Sequence, residues 1–322
     1  MHGPALVRVD LIDRPDGGCR TQTTTTGALE WRSVPTYDVH HHLWPEPLVE
    51  ALAARTSPPC LRNGSLVLEP EGAFELDPAA YSLEACLASL DRAGIDVAVV
   101  SCPPTLGIER LPAEEAEPLL RAYHEGALAA VGASGGRVLA LSTARPLDGF
   151  VGTMLAADDL ADLGRLAPVL DEAVRRGTFV LVHPGVPAHL PAGAPAWWAP
   201  VVDYTAQMQR AYGAWLAGGV GRWPRLRVVF AILAGGAPFQ LERLQARGFD
   251  IGPALHPGIY LDTASHGRRA LELCLATFGA RQIVYGSDAP VVDASLTLDH
   301  IRSFGQAATK ALCSDTPASL LA

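Results

Sequence analysis

Three histidines in a row close the stretch TYDVHHHLWP, Thr36 to Pro45, in a chain with ten histidines in all. Side chains alternate along an extended backbone, so His40 and His42 face one way and His41 the other. Two imidazoles on one side of a strand end can share one divalent metal ion. Two other apolar runs end in groups of the same kind: VLVHPG places His183 at its tip, and VYGSDAP places Asp288. Imidazole nitrogens with one carboxylate make a ligand set that zinc, manganese or iron accepts, with positions left for water or substrate. Taken singly, each has a plain reading: a core histidine pair, a satisfied strand-end histidine, an ordinary Gly-Ser-Asp turn. Their joint placement at strand ends of one fold favours a metal site.

The elements that must position these groups follow from the alternation of short apolar runs with longer helical patterns, the mark of βα units and a parallel sheet. Candidate strands run from Thr36 to His40, Ile95 to Ser101, Val138 to Thr143, Phe150 to Leu155, Thr178 to His183, Arg227 to Leu233, Gly258 to Thr263 and Gln282 to Ser287. Helices are expected over Leu83 to Ala93, Glu114 to Val131, Leu166 to Arg176, Tyr204 to Leu216, Gln240 to Arg247 and Arg268 to Phe278. Eight strands, most apolar on both faces, favour a closed (β/α)8 TIM barrel over an open sheet, and no G-x-G-x-x-G follows the first strand. Barrel enzymes carry their reacting groups at the carboxyl ends of the strands, where His40, His42, His183 and Asp288 fall. The connection from Trp44 to Ser82 is too long for an ordinary loop and is expected to form a lid. The proline-rich insertion Pro184 to Pro200, with Trp197 and Trp198, should overhang the same face. Residues 1–34, polar with a threonine run, read as an arm or small hairpin ahead of a barrel over 35–322.

Composition narrows the function. Of 322 residues, 49% are hydrophobic and 18% charged, a globular balance, and the net charge of −9 with no Lys/Arg cluster argues against a nucleic-acid partner. The amino terminus lacks the basic and apolar regions of a secretory signal, and no apolar stretch approaches the roughly 20 residues that span a bilayer. Six scattered cysteines without a C-x-x-C pair suit free thiols, so a cytoplasmic, non-membrane enzyme is the expectation.

The motifs DVHHH, VLVHPG, GRWPRLRVVFAILAGGAPF, IYLDT and IVYGSDAP together resemble the amidohydrolase superfamily, in the branch of the aminocarboxymuconate-semialdehyde and resorcylate-type decarboxylases, from about Tyr37 to the C-terminus. The resemblance implies a catalytic metal, zinc first with manganese or iron as alternatives, held by His40, His42, His183 and Asp288. Asp288 doubles as general base, and the reaction is hydrolysis or decarboxylation of a small organic acid through a metal-activated water. One departure stands out. The family's strand-six histidine maps to Leu233, which neither moves a proton nor binds a metal. His266, just after the seventh strand, is then a further candidate for proton transfer.

Substrate handles are sought at the barrel mouth. Arg55 or Arg62 could clamp a carboxylate bidentately, as a loop arginine does in the resembling decarboxylases. Glu109 could orient a ligand or pair with one of these arginines, and Trp198, with Trp44 and Trp197, could line an apolar pocket. Two other readings fit the loss of the histidine: an oxygen-dependent iron or manganese hydroxylase, or an accessory or purely structural metal-binding chain. Partners expected are a small-molecule substrate and further copies of this chain, or a related barrel subunit.

Overall fold

The computed structural model describes residues 34–322 except 189, so all but the last residue of the expected N-terminal arm lies outside the described residues. The first strand, β1 (Tyr37–His42), is followed by a small antiparallel sheet of β2 (Cys60–Arg62), β3 (Ser65–Leu68) and β4 (Gly72–Glu75). Then come β5 (Val97–Ser101), β6 (Val138–Thr143), β7 (Gly152–Ala156), β8 (Phe179–His183), β9 (Val228–Phe230), β10 (Ile259–Asp262) and β11 (Ile283–Val284). Strands β1 and β5 to β11 pair in that order, every pair parallel. The ring closes between its last and first members, where the Val39 amide donates to the Tyr285 carbonyl at 3.0 Å and His41 bridges Ala289. This is the expected TIM barrel.

Its strands form because nearly every side chain is buried on both faces: VAVVS in β5 and FVLVH in β8 are continuous apolar runs that only a covered parallel sheet accommodates. Between them the helices dock one apolar stripe. In the helix Leu83–Ala93, Cys86, Leu90 and Ala93 are buried, the Ser82 hydroxyl caps the start by accepting from the Ala85 amide at 3.2 Å, and Gly94 ends it with φ 68°. Burying a leucine such as Leu90 contributes about 2 kcal/mol. No helix among the described residues is long and apolar enough to cross a membrane.

The long connection after β1 folds into the helix Glu46–Ala54 and the β2–β4 sheet. Its side chains Leu66, Leu68, Phe74 and Leu76 wall the cavity at the barrel mouth, the lid position expected from sequence.

One strand boundary differs from expectation. The sixth barrel strand, β9, stops at Phe230, and residues 232–236 form a left-handed turn with φ of 45° at Ile232, 51° at Leu233, 52° at Ala234, 64° at Gly235 and 86° at Gly236. Apolar composition extends the strand in the sequence reading, but the turn is imposed by tertiary bonds: the Ile232 amide donates to Asp262 Oδ1 at 2.9 Å, and the Gly235 carbonyl accepts from Gln209 Nε2 at 2.8 Å. Three non-glycine residues in this region are strained by about 1 kcal/mol each. A Cβ on Gly235 would lie 2.4 Å from the Thr205 carbonyl oxygen. Gly235→Ala should therefore destabilise the protein by about 2–4 kcal/mol, through the left-handed backbone and the backbone clash together. A fall in Tm of several degrees checks this, and an unchanged Tm would contradict it.

Candidate metal centre

His40, His42, His183 and Asp288 come together at the carboxyl end of the barrel, with one ligand atom from each lying within 4.8 Å of all the others. His40 and His42 share a face of β1 as alternation requires. Their rings stand at right angles to one another and to that of His183, with centroids 5.0–5.2 Å apart. His41 points the other way and its Nδ1 meets Asp38 Oδ2 at 3.2 Å. Burial works against its charged form, but Asp38 and Cys86 carry it up to about 10, a brace inside the barrel wall.

The outer nitrogens decide what the inner ones can do. His40 Nδ1 donates to Asp262 Oδ2 at 2.7 Å, and His183 Nδ1 to the Pro184 carbonyl at 2.7 Å. The Ser101 hydroxyl gives its single proton to the His41 carbonyl, so His42 Nδ1, 3.2 Å away, is the donor to Ser101 Oγ. In their neutral form all three rings thus carry the proton on Nδ1 and turn an Nε2 lone pair inward, while an added proton on an Nε2 competes with a metal and can bond Asp288 Oδ1. His40 Nε2 and His42 Nε2 lie 3.3 Å apart. His42 Nε2 sits 3.0 Å, and His40 Nε2 3.6 Å, from Asp288 Oδ1. A divalent cation satisfies this donor set.

The electrostatics agree. Burial lowers His183, and the neighbouring imidazoles push it further, well below the usual histidine range. Burial raises Asp288, but the bond to His42 and the charge of the imidazoles around it hold it below the ordinary carboxylate range. His40 is the exception: burial opposes its charge, yet Asp262 lifts it to about 9, so a proton competes with metal at this position.

Asp262, at the end of the seventh barrel strand, is the residue that organises this side of the site. Besides His40 it accepts from the amides of Ile232 and Ala264 through Oδ1. Its place at the end of a barrel strand was the available signal. Asp38 plays the matching part opposite, accepting from the Ser287 amide at 2.9 Å and its hydroxyl at 2.6 Å, which positions the turn bearing Asp288 at φ 66°. Gly286 lets that turn pass close to β1, since a Cβ there would lie 2.7 Å from His40 Cβ.

The cluster opens into a cavity of about 690 Å³. His266 lines it, with Nδ1 bonded to the Ala264 carbonyl at 2.7 Å and Nε2 left over. At the end of β9 the lining residue is Ile232, whereas Leu233 is buried and does not line the cavity. Neither side chain accepts a proton.

The expected substrate handles do not reach this space. Arg55 donates to the carbonyls of Ser57, Pro58 and Pro59 and to Glu115 at 2.9 Å, tying the lid to the helix Ala113–Ala133. Arg62 bonds the Thr56 carbonyl on the exposed edge of the lid. Trp198 packs against Trp197 with ring centroids 5.9 Å apart, and its neighbours Pro200 and Val201 line the cavity instead. Glu109 is half-buried outside the lining residues and forms no ion pair with either arginine; burial pushes its carboxyl up to about 7.

The amidohydrolase family model matches residues 37–322. The chain belongs to the amidohydrolase family. No curated protein sequence matches this amidohydrolase. Solved structures share its fold. IDCase from Metarhizium anisopliae in apo form superposes with a TM-score of 0.73 at 19% identity, over 89% of this chain and 97% of that one. The 5-carboxyvanillate decarboxylase from Sphingomonas paucimobilis gives 0.69 at 17%, over 90% and 99%. That of Novosphingobium aromaticivorans, complexed with manganese and 4-hydroxy-3-methoxy-5-nitrobenzoic acid, gives 0.66 at 14%, over 89% and 96%. At these identities the likeness is one of fold.

Two outcomes follow for this amidohydrolase. Asp262→Ala should weaken divalent-metal binding by about 10–100-fold, since the His40 tautomer loses its partner; calorimetric metal titration reads this, and unchanged affinity would refute the role. Glu109 is raised from 4.5 to about 7 in the folded state, so its contribution is fully present below pH 4.5 and is lost as pH rises through 7. Glu109→Gln should remove that loss, a gain of up to about 3 kcal/mol at pH 8 and none at pH 4, read by denaturant unfolding at both pH values.

Proposed function

We propose that the protein is a metal-dependent decarboxylase of a small aromatic carboxylic acid, with His40, His42, His183 and Asp288 as metal ligands. The observation that carries this reading is the convergence of three unprotonated Nε2 atoms and one carboxylate on a cavity whose wall at the end of β9 is aliphatic. A divalent ion there supplies Lewis-acid polarisation of a substrate oxygen.

The aliphatic wall bears on which reaction. Hydrolysis calls for a proton acceptor beside an attacking water; Ile232 and Leu233 offer none at the end of β9, which leaves Asp288 and His266 for that part. Decarboxylation needs no attacking water. The bond between ring carbon and carboxyl carbon breaks, carbon dioxide leaves, and the electron pair left on the ring carbon takes one proton. With Nδ1 donating to the Ala264 carbonyl, His266 can deliver that proton from Nε2 as the imidazolium, which leaves the neutral Nδ1–H tautomer. Asp288 can shuttle it at the metal end. The aromatic and aliphatic lining, with Phe74, Tyr81 and Leu106, suits a planar ring and excludes water from the breaking bond. The neighbours named as decarboxylases support this choice over hydrolysis.

Zinc is the first expectation for the resident ion, and the manganese complex of the Novosphingobium enzyme makes manganese its main rival. Purified protein should contain about one equivalent of divalent metal, and His183→Ala should lower that content at least about tenfold. Metal-loaded protein should release carbon dioxide from hydroxylated or aminated benzoic acids, and a chelator should abolish the release. Oxygen uptake coupled to substrate hydroxylation, or ester or amide hydrolysis without carbon dioxide release, would overturn the decarboxylase reading.

A further inference from the structure

The side of the cavity formed by the lid carries a charge with no counterpart. Glu71, in the turn between β3 and β4, lines the cavity together with Tyr204, whose hydroxyl donates to it at 3.2 and 3.3 Å, one donor shared between two carboxylate oxygens. No lysine or arginine is among the lining residues, and Glu75 and Asp77 add negative charge at the rim. Burial pushes the Glu71 carboxyl up, as expected of a carboxylate lacking a cation. A second, independent opening for a ligand lies nearby. Trp44 lines the same cavity at 3% exposure, and its indole Nε1 finds no acceptor among the described residues.

The metal end has the opposite sign. A dication with three neutral imidazoles and one carboxylate keeps one net positive charge, which a substrate carboxylate neutralises. A ligand that matches both ends is negative at one side and positive at the other, with an apolar ring between. We propose that the substrate is an aromatic acid bearing an aminoalkyl group, its carboxylate directed to the metal end and its alkylammonium bound by Glu71 beside Tyr204. This rests on the decarboxylase reading for the chemistry, but the recognition it describes is a matter of binding alone. It also accounts for the arginines: a second carboxylate on the ring would meet Glu71 rather than a guanidinium, so dicarboxylates are excluded by repulsion.

The test compares three probes of one shape on the metal-loaded protein by calorimetry: para-(aminomethyl)benzoate, para-(hydroxymethyl)benzoate and terephthalate. The wild type should bind the amine at least about 10-fold more tightly than terephthalate, with the alcohol between them. Glu71→Gln should bring the three within a few-fold of one another, and Glu71→Lys should reverse the order. Terephthalate binding as tightly as the amine, or a preference that survives Glu71→Gln, overturns the proposal, and the wild-type ranking stands as a test even if a variant is unstable. Carbon dioxide release is measured separately on aminoalkyl-substituted and dicarboxylic aromatic acids. Release favouring the dicarboxylates sinks the amine proposal alone, whereas Glu71-dependent amine binding with no release from any aromatic acid sinks the decarboxylase reading alone.

Discussion

Three imidazole lone pairs facing one another inside a barrel are the constraint on which the rest of this structure turns. Unprotonated nitrogens 3.3 Å apart repel, and they are held together by the ties on their outer nitrogens around a space that a cation can occupy. The three ties are of different kinds: a carboxylate on β10, a hydroxyl on β5 and a backbone carbonyl after β8. Each comes from a different strand end, so the donor set exists only when the barrel is closed in register. Barrel closure is in this sense what builds the donor set. The raised position of His40 belongs to the same arrangement, since a proton competes with metal for a buried, carboxylate-bonded imidazole.

Strain is concentrated where these ties are made. Asp288 and the run Ile232 to Ala234 hold left-handed backbone without glycine's freedom, and both segments are clamped by buried carboxylates: Asp38 onto the Ser287 turn and Asp262 onto the Ile232 amide. Asp262 therefore couples the orientation of a metal ligand to the shape of the cavity wall at β9. The aliphatic side chain at that wall, Ile232, is held in place by the same group that orients His40.

Much of this was legible in the sequence, for identifiable reasons. The eight barrel strands and the helix Leu83–Ala93 could be read because apolar runs, a serine cap and a left-handed glycine are local signals. The pairing of His40 with His42, and the isolation of His41, followed from alternation alone. What escaped was set by contacts distant in the chain. The extent of β9 could not be read, because the Ile232 amide and the Gly235 carbonyl that end it bond to side chains about 30 residues away, one on each side. Arg55 and Arg62 looked like carboxylate clamps because a guanidinium in a lid loop is available to any acceptor; only the fold shows that lid carbonyls and Glu115 engage Arg55 and that the Thr56 carbonyl engages Arg62. Asp262 was undervalued because IYLDT carries no sign that its carboxylate reaches a histidine 222 residues earlier.

The engagement of the arginines alters how specificity must arise. In a cavity walled by Phe74, Tyr81 and Leu106, a charge stripped of water interacts strongly with whatever charge remains, so one half-buried carboxylate without a cation outweighs several solvated groups at the rim. The barrel supplies the positive end of that field through the metal ligands, and the lid supplies the negative end through Glu71. A site polarised in this way orients a ligand by the sign of its two ends, and the lid becomes the part of the chain in which a change of substrate is most easily written.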